Sequence, residues 1–402
     1  LYSLNGTTLK RSESKNSKPN ATGSSSTVGS TIINMSVGDY VELFMLQATG
    51  SAQLAYADYC SLSGMRLIGY PSDRIADPII INGDMSVSQR GYTSATAVAS
   101  ANTYYLDRYI GREVTDGALN IEQSTTAPSG FKNSLKITVT TADSSLSATQ
   151  RAYILTKIEG NRVAQLAFGT SDARKITLAF YIRASVTGTF SGSITNEAEN
   201  RSFPFTYTIN SADTWERKVV NIDADTSGTW DTDNTTGLEI YFSLGMGSTY
   251  SGTAGSWAGA QYFAATGASN LIATNGATWH LTGLQLEVGE FDSTTIPSFP
   301  FESYGSNLQK CKRYFQYSVM GYYGDTTGGG YGGACTFAVE HRATPSYISG
   351  FSSIIEANNR FNTTVISSAN NLSQFGLLAQ KAQSASNDSG YYFAKMATDA
   401  EL

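Results

Sequence analysis

Apolar and polar residues alternate with a period of two over several short stretches of this 402-residue chain. In the run from Lys175 to Arg183, Ile176, Leu178, Phe180 and Ile182 alternate with other residues. Leu135, Ile137 and Val139 repeat the pattern, as do Leu238, Ile240, Phe242 and Leu244. That period turns one row toward a core and the other toward water, which predicts strands. Turn clusters such as Thr187-Gly188, Asp225-Thr-Ser-Gly228 and Asn234-Thr-Thr-Gly237 separate the runs. One segment, Glu302 to Tyr317, carries a helical spacing instead, with Leu308, Cys311, Tyr314 and Phe315 on one side. The pattern predicts an all-β protein of consecutive antiparallel jelly-roll or sandwich domains, with one short helix near 302–317.

Composition narrows the function classes. Only 15% of the residues are Asp, Glu, Lys or Arg, while Gly (38), Tyr (24) and Phe (18) are plentiful and Pro (8) is scarce. Ser and Thr fill the gap, and β-propensity gains accordingly. A hydrophobic content of 41% supplies real cores, and the length predicts two or three domains. The net charge of −6 argues against a broad nucleic-acid surface. No apolar stretch is long enough for a membrane-spanning helix, so no membrane insertion is expected. Cys60, Cys311 and Cys335 are too few and too scattered for a disulfide framework or a zinc site. No 20–50-residue repeat marks a solenoid.

Three segments resemble known architectures. Residues 1–70 hold Leu1-Tyr-Ser-Leu-Asn-Gly-Thr7, then Val37-Gly-Asp-Tyr-Val-Glu-Leu-Phe-Met-Leu46, and close with Ser61-Leu-Ser-Gly-Met-Arg-Leu-Ile-Gly69. This order resembles the C-terminal part of a complement/tumour-necrosis-factor-like trimeric head, which implies a homotrimer; an ordinary hairpin pair is the alternative. After a linker at 71–77 comes Pro78-Ile-Ile-Ile-Asn-Gly-Asp84, with Gln89-Arg-Gly91 and Asp107-Arg108 following. Downstream stand Gln285-Leu-Glu-Val-Gly289, Pro300-Phe-Glu302 and Cys311-Lys-Arg-Tyr-Phe315, with Ile158-Glu-Gly160 between. The set resembles bacteriophage tail-fibre and virion-associated proteins, in which such motifs bracket a carbohydrate-binding-module-like jelly roll, here 78–300. Residues 301–402 would then be a β-rich tip domain. Asp399-Ala-Glu-Leu402 looks like the family's chain end, whereas the start at Leu1 without Met leads us to expect a virion-anchoring segment before it.

The chemistry-bearing residues are sparse. His280 and His341 are the only histidines; neither neighbours a nucleophile motif, and both read as a strand and a turn residue. Asp223, Asp225, Asp231 and Asp233 cluster around Trp230. Paired carboxylates could hydrolyse glycosides, but Asp also favours solvated turns, and no enzyme is predicted. The resemblance implies a structural calcium between Asp84 and Glu287, first and last strands of the module; an Asx-turn and an exposed strand Glu are the alternative. No other cofactor is expected. For glycan recognition the loop aromatics Tyr250, Trp257 and Tyr262, and the tip residues Tyr322 and Tyr323, could stack on sugar faces, with core packing equally open for the loop. The expectation is a homotrimeric virion fibre, on tail or head, that adheres to host surface polysaccharide. A purely structural decoration protein and a polysaccharide depolymerase are the alternatives.

Overall fold

The computed structural model describes the backbone of residues 2–4, 8–10, 41–43, 77–324, 332–348, 354–356, 368–373, 376–380 and 390–402, and the side chains of 77–317, 337–346 and 397–402. The chain divides into two units, Leu1–Ser72 and Asp73–Leu402. In the first, β1 (Tyr2–Leu4) pairs antiparallel with both β2 (Thr8–Lys10) and β3 (Val41–Leu43). The expected closing strand at 61–69, the linker at 71–76 and the features that would form a trimer lie outside the described residues.

The second unit is an all-β sandwich. Its strands begin with β4 (Thr96–Ala97), β5 (Thr103–Leu106), β6 (Tyr109–Val114), β7 (Ala118–Ser124), β8 (Ser134–Thr141) and β9 (Arg151–Glu159). A single helical turn, α1 (Gly160–Val163), leads to β10 (Ile176–Ala184), β11 (Gly188–Thr195), β12 (Ser202–Ile209), β13 (Glu216–Ile222) and β14 (Thr236–Met246). Two short pieces, β15 (Ser251–Gly252) and β16 (Ala264–Ala265), precede β17 (Thr278–Val288). One six-stranded sheet has the order β13-β10-β17-β8-β7-β4, the other β12-β11-β14-β9-β6-β5. All ladders within the two sheets are antiparallel.

The three alternating rows read from the sequence meet in one core. Ile176, Leu178, Phe180 and Ile182 from β10 and Leu135, Ile137 and Val139 from β8 line the first sheet. Leu238, Ile240, Phe242 and Leu244 from β14 line the second. Phe180 meets Phe242 edge-on at 5.1 Å and Tyr207 at 5.2 Å, which locks the sheets face to face. Each such side chain contributes roughly 1.5–3 kcal/mol by leaving water. Pro204 breaks no ladder at cost, because β12 is an edge strand.

β14 is buried at every position. Its second row, with Tyr241 and Met246, joins Ile110, Tyr153, Leu155 and Phe263 in a smaller cluster on the outer face of the second sheet. Residues 247–270, which contain β15 and β16, form a strap over that face. The Phe263 amide ties the segment to itself at the Tyr250 carbonyl, and the Ser269 amide pins it to the Thr189 carbonyl of β11.

The helix is shorter than the spacing predicted. It is α2 (Tyr304–Lys312), capped by Ser303, whose hydroxyl accepts from the Ser306 amide at 3.1 Å. Phe315 already belongs to the next strand, β18 (Phe315–Gly324), which pairs with a C-terminal strand at Gly390–Asp399. Residues 78–91, expected to open with a strand, are turns and bends. Asn82 and Met85 there adopt left-handed φ values of 58° and 57°, which no ladder accommodates. Leu308 and Leu402 pack on the buried Ile81, Val87, Cys311 and Tyr314, so the helix and the chain's last residues sit on the sandwich.

Candidate functional site

The residues of the sequence motifs converge on one polar junction. Asn82 is its pivot: its amide donates to the Val87 and Asp107 carbonyls at 2.9 Å each, while its Oδ1 accepts from the Val87 amide. Its own backbone N–H donates to Asn307 Oδ1 at 3.1 Å. Gly83 is required because the β17 backbone passes over it; a Cβ there would stand 2.2 Å from the Leu284 carbonyl oxygen. Gln89 donates to Asp107 and to the Phe315 carbonyl. Glu159 accepts from Arg313 at 2.6 Å and from the Tyr314 hydroxyl at 2.7 Å, and these partners hold its carboxyl below the usual range against the opposing effect of burial. Glu401 pairs with Arg108 and lies 3.2 Å from Arg90, which also pairs with Asp399 at 3.1 Å. Arg108 is stacked on Tyr314 at 3.7 Å, and Arg90 on Phe315 at 3.8 Å. These signature residues weld α2 and the chain's last residues to the jelly roll.

Asp84 and Glu287, expected as calcium ligands, line the same cavity, of about 20 Å³. Asp84 Oδ1 accepts from Asn307 Nδ2 at 3.0 Å and from the Ser86 amide at 3.3 Å. Gln285 Nε2 donates to Glu287 at 3.3 Å. Calcium needs six to eight oxygens, whereas amide donors already face these carboxylates. Among the described residues, no group of three or more His, Cys, Asp or Glu side chains is placed to hold a metal ion. The residues at this cavity therefore do not fit a calcium shell.

The loop aromatics part company. Tyr250 stacks on Phe263 at 5.4 Å and 17° and lies under Arg151 at 4.5 Å, on the outer face of the second sheet. Tyr262 lies against Gly252, where an added Cβ would come within 2.3 Å of its ring. Trp257 turns the other way, to the rim of the main core. There it meets Trp230 at 5.4 Å and 84°, Phe203 at 5.3 Å and Phe168 at 5.7 Å. Both tryptophans are half-buried. Their indole N–H groups are taken internally, Trp257 by the Asp223 carbonyl and Trp230 by the Ser227 carbonyl. Tyr322 and Tyr323 lie in β18, paired with Tyr392 and Tyr391; their side chains lie outside the described residues.

The aspartate run thus borders the tryptophan pair, and most of its members have structural partners. Asp225 is buried and holds Arg201 bidentately at 2.8 and 2.6 Å, with the guanidinium 5.9 Å from the Trp257 ring. Asp223 pairs with Lys175 at 3.1 Å on the surface. Asp233 accepts from the Thr235 amide and hydroxyl in a turn. His280 is buried between Ser134 (3.2 Å) and Arg183 (3.4 Å), and burial together with the nearby cations Arg183 and Lys136 depresses its pKa to about 4. His341 is buried beside Thr398 at 2.9 Å.

Two features carried no sequence signal. Phe131, Phe299 and Phe301 form a ring cluster beside Tyr181 of β10 and Gly283 of β17, with Phe301 58% exposed. Tyr241 donates toward both Glu199 and Glu239 at 2.9 Å, and burial raises the Glu239 carboxyl while Lys157 opposes it.

No family model matches the chain, and no curated protein does. Solved structures similar to it include the enzymatically active domain of bacteriophage CBA120 tailspike protein 4. It is 12% identical, with 52% of this chain and 21% of that chain covered and a TM-score of 0.27. This chain thus spans about a fifth of the length of that tailspike chain. The family 11 carbohydrate-binding module of a Clostridium thermocellum cellulosomal cellulase is 11% identical over 50% of this chain and 97% of the module, at a TM-score of 0.25. TmCBM61, solved in complex with β-1,4-galactotriose, is 8% identical over 53% and 99%, also at 0.25. At such scores and identities these likenesses carry no inference about the chain's family or its ligand.

Proposed function

We propose that this chain is a non-enzymatic, glycan-binding fibre protein of a bacteriophage virion, acting as a homotrimer that adheres to host surface polysaccharide. The observation that carries the binding reading is the rim where Trp230 and Trp257 stand half-exposed beside Arg201 and Asp223. An indole face against the C–H face of a sugar, flanked by charged hydrogen-bonding groups, is a workable recognition surface. Binding at one such rim is weak, and three rims on one fibre raise it through effective concentration. Other virion proteins would hold the fibre in the particle. The virion placement and the trimer rest on the motif resemblance.

A second reading, a structural decoration protein without a receptor, is favoured by one observation: both indole N–H groups are satisfied internally. Binding of the full chain to host polysaccharide and to a glycan array separates the two. Adhesion predicts saturable binding that Trp257→Ala abolishes while the melting transition stays cooperative. Absence of binding to any glycan by the wild-type chain would establish the decoration reading. Release of reducing ends from the polysaccharide would overturn the non-enzymatic assignment.

A further inference from the structure

The outer face of the second sheet carries two neighbouring arginines without a counter-charge. On the β6–β9 ladder Arg112 stands opposite Tyr153, and Val114 opposite Arg151. Ala152 and Ile154, the alternate residues of β9, point into the main core, so Arg112, Val114, Arg151 and Tyr153 share the outer face. Arg112 and Arg151 are diagonal neighbours there, a relation that places Cα atoms about 7–8 Å apart in a sheet. Both are half-buried, and Val114 beside them is exposed.

The surroundings of this pair are short of acid. Arg112 donates its Nε–H to the Ser100 carbonyl at 2.9 Å, and Arg151 lies over the Tyr250 ring at 4.5 Å. Arg151 Nε is buried there with no hydrogen-bond partner. Burial raises the pKa of the Tyr153 hydroxyl while Arg112 and Arg151 draw it down, so both guanidiniums bear on one hydroxyl. Glu199 also acts on that hydroxyl, but its carboxylate is engaged by Tyr241 and Gln261. Glu113, the next residue of β6, is turned to Thr115. Lys157 on the same strand as Arg151 does have a partner, Glu239 at 3.0 Å. Among the described residues no carboxylate pairs with Arg112 or Arg151, although the chain has 33 acidic residues against 27 basic.

Like charges at adjacent sheet positions repel, and half-burial strengthens the repulsion. An oxyanion relieves it, and the two oxygens of a carboxylate match the arginine fork. The exposed Val114 and the half-buried Tyr250 add apolar surface next to the charge, which suits a carboxylate borne on a ring better than a bare ion. We infer that Arg112 and Arg151 bind the carboxylate of an acidic sugar residue, a uronic acid, whose C–H face rests on Val114. The inference rests on the proposed glycan-binding function and names the class of glycan, at a place separate from the tryptophan rim.

The test is titration of the full chain with glucuronate, galacturonate, oligosaccharides containing them, and the neutral sugars glucose and galactose, followed by NMR at the Val114 methyls. The acidic sugars should shift these resonances saturably, less tightly as salt is added, and the neutral sugars should not. Arg112→Gln and Arg151→Gln should each weaken binding about tenfold, with a melting transition as cooperative as that of the wild type. Unchanged affinity in both variants, or no response to any acidic sugar, would overturn the inference. Acetate and inorganic phosphate probe the bare anion, and binding as tight as that of glucuronate would overturn the sugar assignment. A response to glucuronate by a chain that binds no polysaccharide would uphold this site and overturn adhesion. Polysaccharide binding that leaves Val114 unmoved would overturn this site alone.

Discussion

Burial governs the ionisation of His280. The folded ring resists protonation until about pH 4, because desolvation and the neighbouring Arg183 and Lys136 oppose a charge, whereas the unfolded ring protonates near pH 6.5. Protons therefore favour unfolding between those values. The stability that the neutral ring carries is fully present above pH 6.5 and is lost as pH falls to about 4, on the order of 3 kcal/mol. Glu239, with its carboxyl raised by burial, works in the opposite direction over the acidic range. Urea unfolding at about pH 7 and about pH 4 should show this loss, and His280→Asn should remove most of the pH slope. Sequence placed His280 in a strand beside Trp279, which it is. It could not place Arg183 or Ser134 against it, because those contacts depend on β17 lying between β10 and β8.

At the scale of elements, the strands were legible and the turns carrying the motifs were less so. Three rows of period two became three facing strands, because a one-residue slip would have turned each whole row to solvent. The Pro78–Gly91 segment lacks such a row, and its backbone groups are satisfied by Asn82 and Gln123 side chains rather than by a ladder. The motif residues were visible in the sequence, but their joint role was not. Arg90, Arg108 and Glu401 meet only after roughly three hundred residues of chain have folded between them, and no local spacing encodes that. Removing Glu401 leaves two buried guanidinium groups short of a counter-charge. Glu401→Ala should therefore cost about 3–5 kcal/mol by chemical denaturation. The Arg108→Met, Glu401→Leu double variant should recover much of that, since a buried ion pair and a packed apolar pair of similar volume differ little.

For the molecule as a whole, the sites divide by how much of the sandwich each one needs. Trp257 was singled out from its Gly/Ser-rich loop. Its partner Trp230 stood in the aspartate run, and only the fold brings the two loops to one rim. The Asp84–Glu287 cavity shows the reverse: two residues far apart in sequence were expected together and do line one space, yet amide donors face both carboxylates. Added calcium and a chelator should each leave the melting temperature of the whole protein within about a degree of its starting value, as differential scanning calorimetry will show; a rise with calcium alone would reverse the assignment of that cavity.

The strap has a further consequence for how such a protein changes over generations. Its ends are fixed by β14 and by the approach to β17, while the two sheets beneath are closed by their own core. The exposed turns at 253–256 and 266–267 can accordingly change, while the buried Phe263, Ala264 and Ala265 keep the segment seated on the framework. Variation can thus gather at a few outward turns while the frame beneath stays constant, and a library confined to those positions measures how much change the segment tolerates.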